Sequence, residues 1–339
     1  MENQYPKGTS YRRRQAIHFV AKIAIGITSI TIIALSYLYI RSTYDLTSPN
    51  TSFMQYFCNN EPQSSNENID LEHVKATHLK SNFIPENTIP DTVWNNLPVK
   101  GVYYMVVSNK KLQAAKSVIK SMEDNMSNGS RYPWILLNNQ NFDEKFQKYV
   151  KRVTKAPVYF GKIDTAAWEY PSWIDVPRAE YFMMEQGLNQ NVYKGESLSY
   201  HQLLRYHSGL IFHHPLFRKA QYAWRVEPGS EYNCNMDDDP FLVMKTNNKK
   251  LGYVLTGKEA SNTMPTLMER VKEFMSFYPE YILHENKTIM PWIVTDTGEY
   301  NNCYMWSHFQ IVDLSFFRTE AYQAFFDYLD NTGNFFYER

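Results

Sequence analysis

The sequence predicts an α/β fold, a mixed and mostly parallel sheet flanked by helices, preceded by one membrane-spanning helix and a stem. Three observations predict it. From Gly101 onward, short apolar runs alternate with helical patterns, the order that builds a parallel sheet with helices on its faces. An apolar run over 17–40 follows an arginine triplet. Between these two regions lies a polar segment without periodic hydrophobicity.

The N-terminal run comes first. Arg12, Arg13 and Arg14 precede apolar residues from Ile17 to Ile40, interrupted by His18 and Lys22 and uncharged from Ile23 on. At 1.5 Å per residue the run reaches about 36 Å, enough to cross a hydrocarbon core of about 30 Å. A cleaved signal peptide has a shorter apolar core and a small-residue cleavage site. Tyr37-Leu-Tyr-Ile-Arg41 does not supply one. The arginines place residues 1–16 in the cytoplasm and the chain after Arg41 in the lumen. Sequons at Asn50, Asn125, Asn128 and Asn286 agree with a luminal location.

Residues 41–97 read as a luminal stem, rich in Asn, Ser, Thr, Glu and Pro and poor in the apolar periodicity a core needs. Residues 98–339 read as the folded domain. Val102–Val107 is a strand, Lys110–Asn125 a helix with Leu112, Ala115, Ile119 and Met122 on one face, and Tyr132–Leu137 a second strand. The spacing predicts a helix over Phe142–Val150, a strand from Val158, and a helix over Ser199–Phe212 whose end also reads as a strand. Tyr222–Val226 and Leu251–Leu255 are further strands, and Thr266–Phe277 and Glu320–Leu329 further helices.

Composition narrows the function. The formal net charge is zero, so no broad basic patch points to a nucleic-acid partner. The three cysteines, Cys58, Cys234 and Cys303, show no C-x-x-C spacing. In an oxidising lumen Cys234 and Cys303 can pair, leaving Cys58 free or intermolecular. Neither a Gly-x-Gly-x-x-Gly fingerprint nor a P-loop, His-Glu-x-x-His or Gly-x-Ser-x-Gly motif occurs.

The candidate chemistry lies at strand ends, where open α/β sheets bind ligands. Val107-Ser-Asn109 ends the first strand and is a candidate nucleotide contact. Glu227 ends the Tyr222–Val226 strand before Pro228-Gly229; it can hold a divalent metal or simply be solvated. Asp237, Asp238 and Asp239 read as a solvated loop before Pro240, and His213-His214 as packing or surface residues. Arg205 falls on an apolar helix face, where a lone charge needs a partner, either a phosphate or a buried carboxylate.

Longer motifs carry a resemblance. Trp168-Glu-Tyr-Pro-Ser-Trp-Ile-Asp175, Leu204-Arg-Tyr-His-Ser-Gly209, Tyr222-Ala-Trp-Arg-Val-Glu-Pro228, Tyr300-Asn-Asn-Cys-Tyr-Met-Trp-Ser-His-Phe309 and Phe325-Phe-Asp-Tyr-Leu-Asp330 resemble glycosyltransferase family 15, the fungal α-1,2-mannosyltransferases. The likeness runs from about residue 100 to Arg339. It implies a GT-A-like fold, GDP-mannose as donor, a mannose-containing glycan or glycoprotein as acceptor, Mn2+ as cofactor, transfer with retention, and a type II anchor in the Golgi membrane. It also implies that Glu227 is the metal-associated Glu, that Arg205 and Ser108 lie on the donor side, and that Gln310 occupies the place of a catalytic Glu. The sequence departs from the pattern at Gly229 (Asp in the family), Ser108 (Arg) and Gln310 (Glu). The family pattern continues past Phe336-Tyr-Glu-Arg339 into Trp-Gly-Asp and a metal-binding His, so the resemblance implies a domain incomplete at its C-terminus. Two readings follow: a mannosyltransferase, or a degenerate membrane protein that binds donor, acceptor or a partner enzyme.

Overall fold

The computed structural model describes residues 88–126, 132–284 and 287–338. The expected anchor, the stem up to residue 87, Cys58 and the sequons at Asn50, Asn128 and Asn286 lie outside the described residues. Among those described, no helix is long and apolar enough to cross a membrane.

The strands are β1 (Gly101–Val106), β2 (Trp134–Asn138), β3 (Val158–Lys162), β4 (Tyr222–Val226), β5 (Leu251–Tyr253), β6 (Thr256–Lys258), β7 (Cys303–Met305) and β8 (Phe309–Asp313). The longer helices are α1 (Leu112–Asp124), α2 (Glu144–Val150), α3 (Val176–Met184), α4 (Leu198–Ser208), α5 (Pro240–Thr246), α6 (Leu267–Phe277) and α7 (Glu320–Asn331). Local chemistry fixes several starts. Asp143, Asp175 and Thr319 accept backbone N–H bonds at the heads of α2, α3 and α7, satisfying donors that a helix start leaves unpaired.

The main sheet has the order β3-β2-β1-β4-β8-β5. β1, β2, β3 and β4 pair in parallel, and β8 runs antiparallel to both β4 and β5. The sheet is thus mixed and mostly parallel, as its alternation of strands and helices predicts. β6 and β7 form a separate ribbon.

Alternation along the strands divides the core in two. Tyr103, Met105, Trp134, Leu136, Trp224 and Ile311 face α1, α2 and α5. Val102, Tyr104, Ile135, Leu137, Ala223 and Val312 belong to the opposite core, which includes Tyr206 of α4. Strands buried on both faces read as continuous apolar runs, which is why β1, β2 and β4 are legible in the sequence. Each fully buried large side chain stabilises the fold by about 1.5–3 kcal/mol.

Three elements differ from the sequence reading. Ile89 and Trp94, within the expected stem, are buried in the second core; two anchors in a polar stretch carry too little periodicity to be seen. The helix over Ser199–Phe212 stops at Ser208 and becomes a 3-10 turn over Leu210–His213 rather than a strand. At Gly209 between them, a Cβ would lie 2.4 Å from the Phe326 ring, so close packing against α7 requires glycine. The strand expected over Leu251–Leu255 stops at Tyr253, leaving Val254 and Leu255 exposed between β5 and the ribbon.

Candidate active site

Register assembles the site. Tyr104 of β1 pairs with Arg225 of β4, Arg225 pairs with Gln310 of β8, and Gln310 pairs with Tyr253 of β5. The four form one row across the sheet, and strand alternation turns them to the side of α4. Val226 pairs with Phe309; Glu227 follows β4 directly, and His308 lies in the turn before β8. Because β1 and β4 are parallel neighbours, Ser108 lies on the same edge, exposed, just after β1. Glu227, Gln310 and Ser108 therefore share one end of the sheet.

A tight turn fixes Glu227. Gly229 has φ 94°, Pro228 precedes it, and the Ser230 N–H donates to Glu227 O at 3.1 Å. This is a type II turn, whose third position favours glycine. An Asp at 229 would be strained there.

Arg225 is the charged centre. It is 5% exposed; its Nη2 donates to Glu227 Oε2 at 3.2 Å and its Nη1 to Ser307 Oγ at 3.3 Å. Its Nε has no partner. His207 of α4 is buried beside Tyr104, ring centroids 5.9 Å apart, and its Nδ1 also lacks a partner. Burial, then the Arg225 charge, holds the His207 imidazole well below its ordinary pKa. Burial raises the Tyr104 phenol, which stays protonated at neutral pH. Burial lowers half-buried His308; Glu227 pulls it back up, and Arg225 and Lys194 push it down. Lys194 sits at φ 57° with its ammonium 5.0 Å from the Tyr193 ring and 4.9 Å from that of Tyr200, a cation–π placement. A buried guanidinium with an uncommitted donor, a second cation and a strand-end carboxylate can receive an anion and a divalent metal together.

The structure treats the remaining candidates differently. Of the two partners open to Arg205, it supplies the carboxylate. Nε and Nη2 donate to Asp330 at 2.6 and 2.8 Å, and Nη1 donates to Ala167 O at 3.2 Å. All three guanidinium nitrogens are engaged within the protein. Cys234 and Cys303 are both free thiols, so the expected pair is not formed; Cys303 lies in the ribbon strand β7, opposite Lys258 of β6, and Cys234 is exposed in the loop after β4. Asn125 Nδ2 already donates to Ser121 O and Tyr232 O, and a glycan on that nitrogen would displace one bond. Asp239 is not solvated: it caps α5 and accepts from Tyr132 Oη at 2.5 Å. His214 packs, donating from Nε2 to Lys162 O at 3.3 Å while its Nδ1 accepts from the Leu216 N–H. Burial lowers its pKa to about 4.

Sequence reasoning missed Arg225, His207, His308 and Lys194. Arg225 carried a signal: period-2 alternation puts it on the face of Glu227, a lone charge in an apolar strand. The other three become site residues only through tertiary placement.

Comparison with known proteins identifies the family. The profile of the glycolipid 2-alpha-mannosyltransferase family matches residues 53–339. Alpha-1,2 mannosyltransferase KTR1 of Saccharomyces cerevisiae is 37% identical over 241 residues, 71% of this chain and 61% of that protein. Glycolipid 2-alpha-mannosyltransferase 2 of Candida albicans is 37% identical over 71% of this chain and 52% of its own length. The chain thus spans little more than half the length of these relatives. Among solved structures, core-mannan synthase A of Aspergillus fumigatus, in its Mn/GDP form, superposes with TM-score 0.68 at 34% identity, covering 71% of this chain and 66% of that one. Mannosyltransferase Ktr4p of S. cerevisiae in complex with GDP gives 0.65 at 30% identity, covering 71% and 64%. With most of its length matched by the profile and its sheet shared with these structures, the chain belongs to the glycolipid 2-alpha-mannosyltransferase family, glycosyltransferase family 15.

Proposed function

We propose that this chain is a GDP-mannose-dependent α-1,2-mannosyltransferase with a GT-A-like fold. The observation that carries the reading is the convergence of Glu227, Arg225 and Gln310 at the carboxyl edge of the sheet, in a chain of this family. In the transfer, the bond from mannose C1 to the diphosphate oxygen breaks and a bond from C1 to the acceptor 2-oxygen forms on the same face. The 2-hydroxyl proton leaves with the departing diphosphate.

The residues present suit Mn2+, which core-mannan synthase A carries in its Mn/GDP form. Glu227 supplies a hard carboxylate oxygen. Diphosphate and water oxygens would add to the shell. When bound, the cation neutralises charge on the leaving diphosphate. Arg225 adds fixed positive charge at the same edge. Gln310 cannot form a glycosyl ester; its amide carbonyl offers only a dipole, which favours a front-face displacement within an ion pair. That same neutral side chain favours a second reading, donor binding without transfer.

The test is transfer of labelled mannose from GDP-mannose to α-methyl mannoside by the full chain with Mn2+, beside Gln310→Glu. Product from the parent chain supports the first reading, and a gain with Gln310→Glu locates the deficit. GDP-mannose binding without product in either chain selects the second. A chain that neither binds GDP-mannose nor transfers mannose refutes both.

The arginine triplet and the 17–40 run support a type II arrangement in the Golgi membrane with the folded domain luminal. Protease protection of residues 88–339 in sealed microsomes tests it. Digestion without detergent would reverse the topology.

A further inference from the structure

His201, in the first turn of α4, is 0% exposed and meets a backbone carbonyl at each ring nitrogen. Nδ1 lies 2.8 Å from Phe335 O, and Nε2 lies 2.8 Å from Gly195 O. A carbonyl oxygen only accepts. A neutral imidazole donates from one nitrogen and accepts at the other. Either neutral tautomer would therefore set a ring lone pair against a carbonyl lone pair, shut away from water. His214 shows what suits a neutral ring: Nε2 donates to Lys162 O, and Nδ1 accepts from the Leu216 N–H. His201 has acceptors on both sides, and only the imidazolium satisfies both.

The two carbonyls belong to separate segments. Gly195 lies in the loop before α4, where Asn191 (φ 53°) and Lys194 (φ 57°) hold left-handed backbone, a conformation that persists only where its surroundings impose it. Phe335 lies in the C-terminal turn, Asn334–Tyr337, whose last carbonyls have no partner within the turn. His201 takes one of them. Gln186 takes another, its Nε2 donating to Tyr337 O at 2.8 Å.

The charges on the surrounding elements are committed elsewhere. On α3, Arg178 lies over the Tyr337 ring at 4.7 Å, and Glu180 is exposed. Before α4, Glu185 Oε1 accepts from Asn189 Nδ2 at 2.5 Å, Lys194 stacks on Tyr193 and Tyr200, and Glu196 is exposed. Glu338 accepts from the Thr266 N–H and hydroxyl, the Tyr337 phenol accepts from the Asp175 N–H, and Arg205 of α4 pairs with Asp330. Among the described residues no carboxylate forms an ion pair with His201, so carbonyl dipoles alone hold its charge.

We infer that His201 is a buried imidazolium, a cationic clamp that ties the loop before α4 and the C-terminal turn to α4 and lets go of one of them when it loses its proton. Burial opposes the charge, and two short charge-assisted hydrogen bonds outweigh burial. The inference does not draw on the mannosyltransferase reading.

The experiment is nuclear magnetic resonance of the full chain, isotopically labelled in its histidine rings, beside His201→Gln. At about pH 7 one histidine is expected to carry slowly exchanging protons on both ring nitrogens and to be missing from the spectrum of the variant. A single ring proton on His201 at that pH overturns the inference. Should His201→Gln fail to fold, the parent spectrum still decides, because a slowly exchanging ring with two protons is either present or absent. Melting supplies the second reading. A proton gained on folding stabilises at low pH, and its contribution is lost as pH rises. The parent's lead in melting temperature over His201→Gln should shrink by about 3 °C or more between about pH 6 and about pH 9. His207 and His214, held neutral by burial, act with the opposite sign and are common to both chains. A lead that stays level or widens with pH overturns the clamp.

Discussion

Arg205 and Arg225 are both buried arginines beside a carboxylate, and they differ in what is left over. Arg205, 2% exposed, meets Asp330 bidentately, and its remaining contact goes to Ala167 O. Every nitrogen is committed, and the pair ties α4 to α7. Arg225 meets Glu227 through one long bond of 3.2 Å, touches Ser307 at 3.3 Å, and keeps Nε unpaired. A saturated buried charge is a structural joint. A desolvated charge with a spare donor is held ready for something outside the protein.

The largest effect should come from breaking the joint. Asp330→Ala leaves the Arg205 guanidinium buried and unpaired, which costs about 3–5 kcal/mol and lowers the melting midpoint by roughly 10 °C. Replacing both partners, as Arg205→Met with Asp330→Leu, should recover much of that loss. If Asp330→Ala melts within about 2 °C of the parent, the contrast between the two arginines dissolves. On the proposed mannosyltransferase reading, Arg225→Gln should separate function from stability: mannose transfer falls about 100-fold or more, while stability changes by about 1 kcal/mol. Destabilisation as deep as that of Asp330→Ala would make Arg225 a second joint.

The smallest effect concerns protons. His207 and His214 are held neutral by burial, His214 to a pKa of about 4. Their folded pKa values lie below the unfolded value near 6.5, so as pH falls the unfolded chain takes up protons first. Stability is therefore fully present above about pH 6.5 and is lost on the way down to about pH 4. For His214, discounted for its partial exposure, the loss should be about 1 kcal/mol by pH 5. His214→Gln should flatten the melting-temperature profile over that range. A variant profile parallel to that of the parent would locate the acid sensitivity elsewhere.

The sequence carried much of the fold because most of its signals are local. β1, β2, β4, α1 and α6 stand within a few residues of where their apolar patterns end. β8 escaped notice for the opposite reason. Phe309-Gln-Ile-Val-Asp313 is short and interrupted by Gln310, and it becomes a strand only between β4 and β5. The site divides the same way. Glu227, Gln310 and Ser108 converge at the expected edge, whereas Arg205 goes to Asp330, a partner 125 positions along the chain that no local pattern announces. His308 acquires its place only when β8 docks, and Lys194 only when its loop folds against Tyr200.

The placement of β8 sets the order in which the molecule can be made. β4 is synthesised well before β8, its neighbour on the side away from β1, and β5 also waits for β8. Until the ribosome has delivered Phe309–Asp313, the edges of β4 and β5 are unpaired, and such edges invite association with other chains. Closing so long a loop costs entropy before any contact repays it. Arg225 and Gln310 therefore become neighbours late in folding, and a nascent chain with most of its helices formed still lacks part of this site.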